Sequence, residues 1–357
     1  MANFNGTLRS NEIFAGLFNM IISQEVFSDN FADNYRLVDK AKVDGSLYGS
    51  VKLYYAADAL ATRDWGKDAA TNILELERPQ APKCQAIHLD IFKQIGLTVD
   101  NYLTKRAWTT EGAFTSFNSV MLSMIRETKK IHEGTLYNVF VGTAETNIGK
   151  QMQEWAISDV VGNAEGLEAA RLEATEIGRQ LADLIVELKD YSRDYNDYGY
   201  IRSYSDSAIK VVWNSAVYNR IRKVDLPTIF HKEGIIDKFD QDVLPARYFG
   251  HIAEESGNTG SANTTIRAVK EGVYGGKHCF SGDLLPNNCD YNEGEVYTED
   301  NNIICKIMVR LPVMMSAFET GTSFFNPKSL TETHWLTWGY NTLEYFKNYP
   351  FITVHKD

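Results

Sequence analysis

The sequence predicts an α+β protein that is drawn out rather than round, and three observations predict it. The first is the stretch from Asn101 to Thr143, where Phe114, Phe117, Met121, Met124, Ile125 and Thr128 recur at helical spacing. A helix from about Gly112 to Phe140 would be roughly 40 Å long at 1.5 Å per residue, which suits a stiff rod in an elongated molecule, although on periodicity alone a long core helix of an ordinary domain is the plainer reading. The second is a set of aromatic and β-branched segments at 47–55, 85–92, 208–213 and 303–315, which read as strands. The third is an apolar N-terminal helix and a long hairpin, neither of which can bury itself alone.

Residues 1 to 38 read as an arm. Ile13, Phe14, Leu17, Phe18, Ile21 and Ile22 make one apolar face of a short helix that Ser10 or Asn11 can cap. Such a face must dock on its own chain or on a neighbour's, so Phe14 and Phe18 are candidates for inter-subunit contact. Residues 39 to 86 read as a two-stranded excursion. LYGSVKLYY (47–55) goes out, Trp65-Gly66 lies in the turn region, and Ile73, Leu74 and Leu76 lead back to Pro79 and Pro82. An isolated hairpin is marginal in water, so this one is expected to lie on another subunit. Tyr54, Arg63, Trp65 and Lys67 are its contact candidates. Aromatic residues dominate interface hot spots, and the alternating charges Arg63, Asp64, Lys67 and Asp68 form either a solvated turn or ion pairs that set register.

From Gln85 to Phe92, Ile87, Leu89 and Ile91 alternate with His88, Asp90 and Phe92, which gives a strand with one buried side. It leads through Val99 towards the long helix, in which Gly134 is a weak point costing about 1 kcal/mol against alanine. Residues 164–194 form a second helix on Leu167, Ala170, Leu172, Ala174, Ile177, Leu181, Leu184, Ile185 and Leu188, and the polar SRDYNDYGY breaks it. AIKVVW (208–213) is a buried strand, and Val217–Lys223 a short helix stopped before Pro227. Residues 224–302 are turn-rich. IICKIMVRLPVMM (303–315) reads as one core strand with Pro312 near its end, and the aromatic stretch 334–354 as paired strands closing the fold.

Bulk properties exclude more than they assign. The 357 residues are 44% hydrophobic and 23% charged, ordinary for a folded protein with a sizeable core. No apolar run reaches a membrane span, and the N-terminus does not read as a secretory signal, so the protein is expected to stay where it is made or to leave by lysis. A net charge of −11 argues against clinging to nucleic acid. Cys84, Cys279, Cys289 and Cys305 form no CxxC pair and read as reduced structural thiols.

No catalytic constellation stands up. The seven histidines are scattered without an HExxH pairing, and no GxGxxG or GxxxxGK[ST] loop is present. His278, Cys279, Cys289 and Cys305 lack the spacing of the common zinc knuckles. Gly321-Thr322-Ser323 begins like a nucleophile elbow, but Phe325 stands where the second glycine belongs, so a plain turn is expected. Asp237, Asp240 and Asp242 lack EF-hand spacing and read as a solvated acidic turn.

Taken in order, NEIFAGLFNMIISQ, YGSVKLYYAADALATRDWG, CQAIHLDIFKQIGLTVDNYLTKRAWTTEGAF, SFNSVMLSMIRETKKIHEGTLYNVFVG, SAIKVVWNS and HWLTWGYNTLEYFKNYPFITV resemble the major capsid proteins of tailed bacteriophages. These have the Hong Kong 97-type fold, and the likeness is to the podovirus-like and crAss-like branch. It covers nearly the whole chain. It implies an N-terminal arm at 1–38, an extended loop (E-loop) at 39–86, and a peripheral domain at 87–163 and 325–357 with a spine helix at about 112–140. An axial domain would hold 164–324, with 250–302 as an insertion. The implied function is structural and not enzymatic: self-assembly into hexamers and pentamers that form an icosahedral head around double-stranded DNA, in a virion built in the host cytoplasm.

The implied partners are further copies of the chain, portal, scaffolding, head-decoration and head-closure proteins, and DNA held without sequence recognition. No membrane and no cofactor are implied. Because the chain starts at the arm, a separate scaffold or none is expected. Parts of the family join a loop lysine to an asparagine of a neighbour, which here would involve Lys67 with Asn341 or Asn348 beside Glu344; an ion pair is the plainer role for Lys67. A nanocompartment shell of the same fold is the alternative, and a cytosolic enzyme with an unrecognised site the third reading.

Overall fold

The computed structural model describes residues 37–45, 51–62, 76, 78–100, 111–146, 149–224, 240–253, 267–269, 272–274, 277–279, 296–300 and 302–357. The arm helix expected at 13–22 and the turn around Trp65 lie outside the described residues. In chain order the strands are β1 (Lys42–Asp44), β2 (Val51–Ala56), β3 (Lys83–Asp100), β4 (Met152–Trp155), β5 (Lys210–Asn214), β6 (Asp240–Leu244), β7 (Gly250–Ala253), β8 (Arg267–Val269), β9 (Gly272–Tyr274), β10 (Lys277–Cys279), β11 (Val296–Glu299), β12 (Ile303–Met308), β13 (Met314–Asn326), β14 (Thr331–Asn341) and β15 (Phe351–Lys356). The helices are α1 (Leu37–Ala41), α2 (Glu111–Thr143), α3 (Ile157–Val161), α4 (Gly166–Lys189) and α5 (Ser215–Val224).

Two five-stranded sheets carry the fold. The first has the order β1-β13-β14-β3-β2 and the second β4-β15-β12-β5-β6, while the turn-rich stretch holds the small sheets β7-β11-β8 and β10-β9. The alternation expected at 85–92 continues without a break, so β3 has 18 residues, about 60 Å at 3.4 Å each. Helix α2 has 33 residues and is about 50 Å long.

The C-terminal half of α2 lies on the first sheet. Ile125, Tyr137, Val139 and Val141 share a core with Leu336, Trp338 and Tyr340 of β14, and Leu37, Val38 and Ala41 of α1 close it from the other side. The stripe read from the sequence lies further towards the N-terminus. Of its members whose side chains are described, Ile125 is buried and Met124 is half exposed, and the buried face continues downstream through Tyr137, Val139 and Val141. Residues 39–45 are not part of an excursion: they finish α1 and form β1, which pairs in parallel with Met314–Ser316 of β13. The strand going out is β2, and the start of β3 pairs with it, while Ile73 and Leu74 lie outside the described residues.

Glu133 is a charge inside this core. Its carboxylate is almost fully buried, 2.6 Å from Lys42 Nζ and 3.7 Å from Lys129 Nζ, and Lys129 also reaches Glu319 at 2.7 Å. Removing Glu133 leaves Lys129 with Glu319 and the part-exposed Lys42 with Asp39 at 3.9 Å, so the loss is that of the charge-assisted contacts themselves. Glu133→Ala is therefore expected to cost about 1.5–3 kcal/mol, read as a lowered urea midpoint at unchanged m value.

The second sheet is covered on one face by α4 and α5, through Ala174, Ile177, Leu181, Leu184, Val217 and Ile221. Val212, Leu244, Met308 and Phe351 turn to the other face and join the core under α2. Its central strand β12 is buried along its whole length, as a strand covered on both sides must be.

Several expectations change here. The run 303–315 is two strands in different sheets, divided at Val309–Val313, where Pro312 lacks a ladder donor and its carbonyl accepts from Tyr137 Oη (2.8 Å). The stretch 334–354 does not pair with itself, because β14 joins the first sheet and β15 the second. Gly321-Thr322-Ser323 is neither elbow nor turn but lies within β13. Asp240 and Asp242 sit on β6: Lys210 meets Asp240 at 2.6 Å and Lys40 meets Asp242 at 2.9 Å, so they are paired strand residues rather than a solvated turn.

Candidate assembly surface

The surface that stands out is the face of the first sheet turned away from α2. Strand pairing puts Val51, Leu53 and Tyr55 of β2 beside His88, Ala86 and Cys84 of β3. Two-residue periodicity carries the same face along β3 through Phe92, Gln94, Gly96 and Thr98. On β14 and β13 the row continues through Thr337, Trp335 and Thr333 to Thr322 and Phe324. Leu53, Tyr55, Phe92 and Phe324 are each more than half exposed. This face follows the roughly 60 Å of β3 and carries Leu53 and Tyr55 of β2 at one end, Phe92 near its middle and Phe324 of β13 towards the other end. Hydrogen-bonded polar pairs lie between Phe92 and the far end: Gln94 Nε2 to Thr337 Oγ1, and Thr98 with Thr333, each 3.0 Å.

Two glycines shape this face. A Cβ on Gly96 would stand 2.6 Å from the Trp335 ring, and one on Gly339 would stand 2.9 Å from the Phe92 ring. Each aromatic ring lies flat across the glycine opposite it, which lowers the relief of the surface and covers backbone that would otherwise be bare.

Of the candidate contact residues, Phe14, Phe18, Arg63, Trp65 and Lys67 lie outside the described residues. Tyr54 is described, and it points inwards. Its ring meets Phe346 edge-on at 5.0 Å, and the Arg310 guanidinium lies 5.6 Å from it, within the same chain. The outward residues of β2 are the neighbours of Tyr54. The sequence did signal Phe92, which falls among the polar residues of an alternating strand, but nothing local marked Trp335 or Phe324 as surface residues.

The asparagines considered for a crosslink are committed inside the chain. Asn341 is buried: its Oδ1 accepts from the Met315 amide at 2.6 Å, and its Nδ2 donates to the carbonyls of Val313 and Thr342. Asn348 Oδ1 accepts from Arg202 at 2.9 Å. Among the described residues no cluster of three His, Cys, Asp or Glu could hold a metal ion, and no helix is long and apolar enough to cross a membrane. Cys305 is buried, and burial pushes its thiol well above the usual range; Cys84 is exposed.

The two sheets with a long helix on one of them are shared with phage shells. The capsid structure of Staphylococcus phage Andhra superposes with a TM-score of 0.60 at 13% identity, covering 94% of this chain and 87% of that one. A chain in the structure of the head fiber and inner core protein gp22 of native bacteriophage P68 superposes with a TM-score of 0.58 at 12% identity, covering 93% and 87%. The fold is thus the Hong Kong 97-type α+β fold of shell-forming virion proteins. The model of the Phi29-like phage major capsid protein family matches residues 3–353, and the chain belongs to that family. Its role is structural, in the capsid of the virion. No curated protein sequence gives a significant match.

Proposed function

We propose that copies of this chain assemble as hexamers and pentamers into an icosahedral head that encloses double-stranded DNA. The observation behind this reading is the apolar outer face of β2, β3, β14 and β13 on a chain of the capsid family. Apolar surface spread over such a length calls for a cover, and neighbouring copies supply it in a shell. Each contact is modest, and closure makes the set strong.

In this reading residues 1–38 are the arm and the extended loop starts from β2. The first sheet with α2 is the peripheral domain, and the second sheet with α4 and α5 is the axial domain. Strand pairing then shifts the boundaries expected at 163/164 and 324/325: β13 goes with the peripheral domain, and β4 and β15 go with the axial one. The net charge of −11 keeps packaged DNA from adhering to the wall. Portal, scaffolding, decoration and head-closure proteins are the remaining partners, assembly takes place in the host cytoplasm, and the chain catalyses nothing and needs no cofactor.

The test is a paired substitution, Leu53→Asp with Tyr55→Asp. Both side chains are exposed in the single chain, so the protomer should melt as before. Burying two carboxylates between copies should lower the yield of closed, DNA-filled heads by about tenfold or more, the equivalent of 1.4 kcal/mol or above. Normal heads from the paired variant, counted by electron microscopy, would refute the reading. Closed particles filled with protein cargo instead of DNA would favour the nanocompartment alternative.

A further inference from the structure

The segment Tyr191–Tyr204, which ends α4, does more than stop a helix. Both roots of the excursion between β2 and β3 are fastened to it. On the outgoing side, the Asp58 carboxylate accepts from Arg193 Nη1 (2.6 Å) and from the Ile201 amide (3.0 Å). Arg202 Nη2 donates to the Ala57 carbonyl and to Asn348 Oδ1, both at 2.9 Å. On the returning side, Lys83 Nζ donates to the Tyr198 carbonyl (3.2 Å) and lies about 5 Å from the rings of Tyr198 and Tyr200.

The segment is itself held firmly. Asn196 is buried and exchanges two hydrogen bonds with Tyr200, through Nδ2 to its carbonyl (2.7 Å) and from its amide to Oδ1 (2.9 Å). Asp197 takes its amide bond to the Lys347 carbonyl (2.8 Å) and accepts from Gln151 and Tyr345. The Arg193 guanidinium also holds the Asp58 carboxyl down at about 2, below the usual carboxylate range. Asp58 therefore stays charged, and the clamp stays engaged, at every pH from about 4 upwards.

We propose that the 191–204 segment is a positioning socket for the assembly loop, in which Asp58, Arg193 and Arg202 fix the direction in which residues 59–82 leave the body and so set the curvature of the shell. Two guanidinium groups and one carboxylate act on two consecutive residues, Ala57 and Asp58, immediately after β2 ends. A few degrees of freedom at that root become a displacement of several ångströms at the far end of a loop this long. Copies that project the loop within a narrow range of angles, wide enough for hexamers and pentamers and no wider, meet their neighbours at a narrow range of angles and close shells of one size. The inference rests on the reading that the loop lies on a neighbouring copy.

Three altered chains test it in heads produced with the virus's other head proteins: Asp58→Ala, Arg202→Ala, and a chain whose residues 61–75 are replaced by a short Gly/Ser turn. The expected result for the first two is a folded protomer whose Ile201 amide exchanges with deuterium about tenfold faster or more. Their particles should spread in diameter or stay open, where the parent gives one size. Arg202→Lys, which keeps a donor for Ala57, should recover most of the size uniformity. If Asp58→Ala does not fold, Asp58→Asn, which keeps an acceptor for Ile201 and loses the charge, takes its place. Heads of normal size from Asp58→Ala and Arg202→Ala, while the trimmed chain makes none, would overturn the socket alone. Normal heads from the trimmed chain would overturn the reading of the loop as an assembly element.

Discussion

Gly142→Ala is expected to destabilise this protein by about 3 kcal/mol or more, although alanine is the better helix former. Gly142 lies in the last turn of α2. A Cβ there would stand well inside van der Waals contact of the Tyr248 carbonyl oxygen, 2.6 Å from its carbon and 3.2 Å from the Phe249 amide nitrogen. These are backbone atoms with little room to move. The Tyr248 amide bonds to the Pro245 carbonyl and that of Phe249 to the Ala246 carbonyl, and both side chains are buried. Gly134, two turns earlier in the same helix, is the internal control, because nothing lies within 4 Å of the Cβ it lacks. Gly134→Ala should gain roughly 0.5–1 kcal/mol from helix propensity and lower chain entropy in the unfolded state. Urea midpoints of the two variants should move in opposite directions. A Gly142→Ala protein as stable as the parent would mean that the turn at Ala246–Tyr248 yields freely, against the close packing described here.

The difference between these two glycines also shows what could be read from the sequence. A helical period is local, so the existence of α2, α4 and β3 was legible, as was the weakness at Gly134. That Gly142 is needed for a close approach was not, because its neighbour is more than a hundred residues away. The same holds for the pairing of Asp240–Leu244 with β5, which makes a strand where an acidic turn was expected, and for the ion pair between Lys40 and Asp242. Thr320, Gly321, Thr322 and Ser323 have turn-like composition, and only their pairing with β14 makes them a strand.

The facing of β2 was hidden for a different reason. Tyr54 reads as a contact residue because it is aromatic and its hairpin is expected to lie on another subunit. In the protomer Tyr54 is the residue packed inwards, against Phe346, while Leu53 and Tyr55 are exposed. Alternation tells which residues share a face, and it cannot tell which face belongs to the chain's own core. In a protein of a shell-forming family, the more apolar face of a strand need not be the one its own core covers, and on the reading proposed above it is left for another copy. Trp335 and Phe324 escaped notice for the same reason, since aromatic residues near the end of a chain read as core unless the assembly is considered.

Lys306 links the end of α2 to the second sheet, and its replacement gives the second large effect. It is fully buried on β12, and its ammonium nitrogen donates to the Ala144 carbonyl just beyond the end of α2 (2.9 Å) and to Thr353 Oγ1 on β15 (2.8 Å). Burial lowers its pKa from 10.5 to about 7, with the Glu145 carboxylate opposing the shift. The folded chain thus releases this proton near pH 7, whereas the unfolded chain keeps it to about pH 10.4. Between these values the unfolded state binds more protons, so the contribution of Lys306 to stability rises with pH, by up to about 1.4 kcal/mol per unit, and below pH 7 its cost is complete and constant. Lys306→Met fills a similar volume without a charge but leaves the Ala144 carbonyl and Thr353 without this donor, at roughly 1–3 kcal/mol. At pH 7 the buried charge costs about 4 kcal/mol, more than this loss, so the variant should be the more stable by roughly 1–3 kcal/mol. By pH 9 the parent should have gained about 2 kcal/mol on the variant, because only the parent gains from the rise in pH, and the two should lie close together. Titrations of all other groups are common to both proteins and cancel in the difference between their urea midpoints. A difference that stays constant from pH 7 to pH 9 would show that Lys306 is charged in the folded chain throughout, and that the contact between the end of α2 and the second sheet is an ion pair with Glu145 rather than a neutral amine donating to two oxygens.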